Sequence, residues 1–192
     1  MRRFVERGVP TIGRVTRFVA LLRGVNLGPN KRIAMADLRR IVDELGYGNV
    51  ATYVQSGNAV FDATGAAATH EQRIEMAIQD DLALSTKVLV RTGAELKAIV
   101  KANPFAAQAK RDPTKVHVGF LSAQAPKAKF AAVDVASFAP DEVTVGKRVL
   151  YLHLPDGMAG SRIKVDWRKA LGVEITVRNW RTVENLAKLA NP

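Results

Sequence analysis

Residues 50–63 read VATYVQSGNAVFDA: two β-prone runs, 50–55 and 59–63, held apart by Ser56-Gly57-Asn58. A tight turn between antiparallel strands needs residues that tolerate positive φ, and Gly-Asn supplies them, so the stretch predicts a β-hairpin. Its flanks set the class of fold. Upstream, RFVALLR (17–23) is an apolar run of strand length, followed by the Gly/Asn/Pro loop GVNLGPNK (24–31). Apolar residues then fall at 35, 38, 41, 42 and 45, a helical spacing closed by Gly46. Downstream, Thr69 and Gln72 form a capping-box pattern that opens a helix running to about Leu84, and KVLVR (87–91) is the next strand. Strand–helix–strand–strand–helix–strand is the split βαβ, or ferredoxin-like, order; an extra helix follows over 94–102.

The second half repeats this order. VHVGFLS (116–122) reads as a strand, Pro126 to Val133 as a short helix, and EVTV (142–145) with RVLYLHL (148–154) as a hairpin about Gly146-Lys147. Ser161 to Leu171 is the next expected helix, EITVR (174–178) the last strand and Arg181 to Ala190 the closing helix. The expected fold is therefore α+β: two ferredoxin-like subdomains with antiparallel sheets, at 16–104 and 113–192, each followed by an extra helix. Residues 104–113 are the connection, and 1–15, with Gly8, Pro10 and Gly13, read as a mobile N-terminal extension.

Alternation along strands assigns faces. RFVALL is apolar at every position from Phe18 on, so the first sheet needs cover on both sides, from the other subdomain or from the helix at 94–102. In the second sheet, Val116, Val118 and Phe120 are expected on the helix side with Leu150, Leu152 and Leu154. His117, Tyr151 and His153 would then cluster on the opposite face.

Composition narrows the chemistry. Hydrophobic residues make up 47% of 192, enough for a packed core, and cysteine is absent, which removes disulfides and thiol chemistry. With only three histidines no metal site is expected, and no cofactor is implied. No apolar run reaches the roughly 20 residues of a membrane span, and residues 1–15 lack the apolar stretch of a secretory signal, so a cytoplasmic protein without membrane contact is expected. The net charge of +11 is mostly spread along mixed helix faces and predicts salt-sensitive attraction to polyanions.

Polar groups at strand ends mark the candidate contacts. The 24–31 loop lies between strand and helix, where backbone N–H groups can face an anion, with Arg23, Asn26 and Lys31 adding side-chain contacts; it lacks the G-x-x-x-x-G-K-[ST] pattern of a P-loop. Gln55 and Asn58 flank the first hairpin turn. Ser56 has no base assigned to it by the sequence, and the turn alone explains the motif. Arg178 and Asn179 lie where a strand enters a helix, Asn179 as its N-cap, and Arg91 holds the matching place in the first half. Two such arginines could clamp one anion between the subdomains or make ion pairs across their interface. Gly157 to Lys164, with Ser161 as helix cap, is a second anion-site candidate. The ligand-binding expectation is thus an anionic small molecule at Arg23, Asn26, Lys31, Gln55, Asn58, Arg178 and Asn179. The alternative is single-stranded nucleic acid on the basic surface and the sheet face of His117, Tyr151 and His153, although the RNP sequence of RNA-recognition folds is missing. No carboxylate pair has a spacing that argues for acid–base catalysis, and the oligomeric state is not readable from the sequence.

These segments together resemble a known family. VTRFVALLRGVNLGPNKRIAMADLRRIVDELGYGNVATYVQSGNAVF (15–61), NPF (103–105), HVGFL (117–121), YLHLPDG (151–157) and VRNWRTVENL (177–186) are similar to the landmarks of DUF1697, a bacterial family whose name records an unknown function. The resemblance spans about Thr16 to Ala190. It implies two ferredoxin-like subdomains and brings no reaction, cofactor or catalytic residue. The chain departs from the family pattern at Pro29, where a second glycine is common, and at GSRIKVDW from Gly160. The family pattern begins near Thr16, which makes Val15 an alternative initiator.

Overall fold

The computed structural model describes residues 14–28 and 31–192. The extension expected over 1–15 thus lies, apart from Arg14 and Val15, outside the described residues, as do Pro29 and Asn30 of the first loop.

The first half forms β1 (Thr16–Leu22), α1 (Met35–Glu44), β2 (Gly48–Thr52), β3 (Asn58–Ala63), α2 (Ala67–Leu82), β4 (Val88–Thr92) and α3 (Gly93–Lys101). A short α4 (Ala106–Arg111) occupies the expected connection. The second half forms β5 (Val116–Leu121), α5 (Lys127–Ala131), a 3-10 turn at Val135–Phe138, β6 (Glu142–Gly146), β7 (Val149–His153), α6 (Gly157–Gly160), α7 (Trp167–Leu171), β8 (Ile175–Asn179) and α8 (Trp180–Leu189). The two antiparallel sheets have orders β2-β3-β1-β4 and β6-β7-β5-β8, the same split βαβ pattern twice.

Three apolar clusters hold the layers together. Phe18, Ala20 and Leu22 on the outer face of β1 meet α1 and α2 through Leu38, Ile41, Ile74 and Ile78. Leu150, Leu152 and Leu154 pack with Trp167, Leu171 and Phe138 outside the second sheet. Between the sheets, Val19, Leu21, Val60 and Leu89 join Val116, Val118, Phe120 and Tyr151, with Leu96 and Ile99 of α3 and Val183 and Leu186 of α8. The double cover expected for the first sheet comes from both sources, the other half and α3. Where α3 meets the end of α8, a Cβ on Gly93 would lie 2.2 Å from the Ala190 carbonyl oxygen, so only glycine admits this approach. The outer edge of the first sheet is covered too: Glu71 and Glu75, one turn apart on α2, accept the N–H groups of Val90 (2.8 Å) and Val88 (2.9 Å).

The faces of the second sheet differ from expectation. Val116 pairs with His153, Val118 with Tyr151 and Phe120 with Val149, so these side chains share the inner face. His117 pairs with Leu152 and faces outward, on the side opposite Tyr151 and His153. The three therefore do not form one platform, and His117 and Tyr151 are both buried. A register one residue away from that assumed moves every side chain of a strand to the other face. All six residues of β5 are buried, so alternation could not fix its register.

Two helices also begin elsewhere. Thr69 lies inside α2, whose N-cap is Ala66; a capping box forms instead at α3, where Thr92 Oγ1 accepts from Glu95 N (3.1 Å) and Glu95 Oε2 accepts from Thr92 N (2.8 Å). Ser161 to Leu171 is not one helix. Ser161 Oγ donates to Asp141 (2.8 Å), which also accepts from Arg162 N (2.7 Å), and the chain stays extended until Asp166 caps α7. Ile163 and Val165, β-branched and poor helix formers, pack on the outer cluster from this extended segment.

Two buried imidazoles tie stability to pH. His70 lies among Phe18, Tyr47 and Phe61, its Nδ1 2.8 Å from Tyr47 Oη; burial, then the nearby Arg73 charge, lowers its pKa. Burial lowers that of His117, whose Nδ1 has no hydrogen-bond partner. The unfolded chain protonates these groups near 6.5, before the folded protein does. Their contribution is therefore fully present above that value and is lost as the pH falls through the lower folded values. Thermal unfolding should show a lower melting temperature at about pH 5 than at about pH 7.5, and the double variant His70→Gln/His117→Gln should flatten the slope. An unchanged slope in the double variant would remove histidine from the explanation.

Candidate functional site

The polar segments singled out in the sequence do converge, at the end of β1. Leu22 N donates to Gly57 O (2.9 Å) and Arg23 N to Lys87 O (2.8 Å). Asn26, in the left-handed region at φ 56°, donates through Nδ2 to Ile33 O (2.9 Å) and Gln55 O (2.7 Å) and accepts from Ile33 N (3.0 Å). Its amide thus closes the loop and ties it to the first hairpin. Lys31 Nζ donates to Ser85 O (3.2 Å), the Gln55 side chain is exposed, and Arg23 pairs with Glu174 of the other half at 3.3 Å. Asn179 caps α8 by accepting from Thr182 N (2.9 Å).

Arg178 is the centre of this corner, and its donors point to protein. Nε donates to Asn58 Oδ1 (2.6 Å), Nη1 to Thr176 Oγ1 (2.8 Å) and Val177 O (2.9 Å), Nη2 to Leu22 O (2.7 Å) and Gly57 O (3.1 Å). Asn58 is itself fully buried and spends its Nδ2 on Tyr53 O and Ser56 Oγ. No carboxylate faces the guanidinium among these partners, and burial pulls its pKa down to about 10, still charged at neutral pH. The group fastens the second half to the strand ends of the first with charge-assisted hydrogen bonds to neutral oxygens.

The duplication places Arg91 at the mirrored corner with a different outcome. Arg91 and Arg178 pair with Val19 and Val118, the matching residues of β1 and β5. Arg91 Nη2 donates to Leu121 O, as Arg178 Nη2 does to Leu22 O, and Nη1 donates to Val90 O (2.9 Å). Here the likeness stops. The place of Asn58 is taken by Val149, which offers no acceptor, and the place of Tyr53 by Gly146. Tyr53 packs against the central cluster in the first half, whereas a Cβ on Gly146 would lie 2.7 Å from the Tyr151 ring. A crevice of about 390 Å³ opens at this second corner, between α3 and the β6–β7 hairpin.

Its charged lining is mostly cationic: Arg91, Lys147 and Arg148 against Glu95, with Thr144 and Tyr151 as neutral polar groups. Arg148, in the turn at φ 56°, donates through Nη2 to Ser122 O (3.0 Å) while Nη1 stands 3.6 Å from Glu95 Oε1, an ion pair too long for a hydrogen bond. Burial first, and the Arg148 charge second, lower the Arg91 pKa to about 10. Tyr151 donates to Ile99 O (2.9 Å), and burial pushes its hydroxyl up to about 12, so it stays protonated. Sequence reading had paired Arg91 with Arg178 but missed Glu95, Lys147 and Arg148. The usable signal was the Gly146-Lys147-Arg148 turn, where two charges follow a missing side chain.

Comparison with known proteins follows the architecture. The conserved bacterial protein SP0830 from Streptococcus pneumoniae superposes with a TM-score of 0.72 at 21% identity, covering 93% of this chain and 100% of that one; the likeness is one of fold. No curated protein matches the chain. No helix among the described residues is long and apolar enough to cross a membrane. The model of the family described as "Protein of unknown function (DUF1697)" matches residues 15–151, and the chain belongs to that family.

Proposed function

We propose that the protein binds an anionic small molecule in the crevice between α3 and the β6–β7 hairpin. The observation that carries this reading is the local charge: three cations and one carboxylate around a recess between the two halves. Its volume of about 390 Å³ suits an organic molecule. Low-dielectric walls strengthen the attraction between Arg148 and a bound anion. The corner expected from the sequence is a weaker candidate because Asn26, Asn58 and Arg178 are already engaged with the protein.

Arg148→Gln tests the site. Arg148 is half-buried at a turn, and the substitution removes the charge while keeping a shorter, polar side chain. Loss of a charge-assisted contact should weaken anion binding about tenfold or more, with the melting temperature of the free protein little changed. Calorimetric titration with a panel of organic anions reads the effect. Equal affinity in the variant would place the anion elsewhere.

A further inference from the structure

We infer that the molecule taken by this crevice is an amphiphile, a single carboxylate on an elongated apolar body, lying with its head at Arg148 and its body along α3. This rests on the anion-binding reading above and adds the class of ligand. Charge and apolar surface are separated along the crevice. Glu95 and Arg148 stand near the start of α3, with Arg91 close enough to feel both charges. Ala98, Ile99 and Ala102 follow at three, four and seven residues beyond Glu95, which is one face of a helix. At about 1.5 Å per residue the apolar wall extends roughly 10 Å past the charged end. Opposite it lie Thr144, which pairs with Tyr151 and shares its inner face, and Gly146, which contributes no side chain.

Width comes from small residues. Ala98, Ala102 and Gly146 leave room at the corner whose counterpart holds Tyr53. The head is a monoanion because Glu95 stays beside Arg148 and repels additional negative charge. A carboxylate matches the guanidinium fork and can approach Arg148 more closely than Glu95 does. A free anion such as phosphate would leave the apolar wall uncovered.

Full-length protein titrated by calorimetry with acetate, hexanoate and decanoate, with the corresponding primary amides, and with inorganic phosphate separates the alternatives. Affinity is expected to rise about threefold per buried methylene, so that hexanoate binds roughly a hundredfold tighter than acetate, and to fall at least about tenfold in each amide. Ala102→Phe, at the exposed C-cap of α3, where a larger side chain does not threaten folding, should remove the advantage of decanoate and leave acetate unaffected. Arg148→Gln should weaken every carboxylate. If phosphate or acetate binds as tightly as hexanoate, the amphiphile is overturned while anion binding stands. Amides that match their carboxylates, or no binding by any probe, overturn both.

Discussion

Arg178→Met is expected to destabilise the protein by about 3–5 kcal/mol, which for a chain of this length lowers the melting temperature by roughly 10 °C. Methionine keeps most of the apolar volume and removes all donors. Leu22 O, Gly57 O and Asn58 Oδ1 then lose their guanidinium partner inside the junction of the halves. The loss reflects a buried Asn58 Oδ1 left without a donor and the broken tie between the halves more than the charge itself, since Gly57 O keeps Leu22 N and Leu22 O keeps Thr176 Oγ1. Arg178→Lys should recover little, because an ammonium cannot span acceptors that the fork reaches together. The equivalent Arg91→Met should cost less, since Arg91 serves only the carbonyls of Leu121 and Val90. Chemical denaturation of the three variants gives the ranking, and an Arg91 variant weaker than the Arg178 variant would contradict the unequal corners.

Gly93→Ala is expected to cost about 3 kcal/mol, at the upper end for overpacking by a single methyl group. The added Cβ would meet the backbone oxygen of Ala190 at 2.2 Å, and a carbonyl cannot rotate away as a side-chain tip does. Either α3 or the end of α8 must shift, breaking the hydrogen bond from Asn191 Nδ2 to Gly93 O (2.9 Å). Alanine is otherwise the better helix former, so propensity predicts the opposite sign. Because α3 is one wall of the crevice, the shift should also weaken hexanoate binding several-fold. Unfolding curves matching the parent protein would show that the helices separate without penalty.

The duplicated architecture was legible because helix and strand spacings alternate cleanly from Arg17 to Arg91 and turn residues fall between them. Legibility ended where burial erased the period. VHVGFL presents no polar side chain to solvent on either face, so its register, and with it the face of His117, depends on cross-strand packing that the string does not encode. Ser161 to Leu171 looked helical because spacing alone cannot show that Asp141, twenty residues earlier, captures Ser161 and Arg162. The site followed the same logic. The matched arginines could be found from the repeat, but their different roles depend on Asn58 facing one and Val149 the other. Arg178 and Asn58 are 120 residues apart, and their contact exists only once the halves dock.

The paired glutamates of α2 close one route, strand addition at β4, by which copies of this molecule could join. By occupying the outward amides of Val88 and Val90, they deny an incoming strand the donors it needs at that border. Fibrillar growth by lengthening the first sheet past β4 is thereby blocked, and Glu71→Ala/Glu75→Ala would turn a sealed margin into an adhesive one.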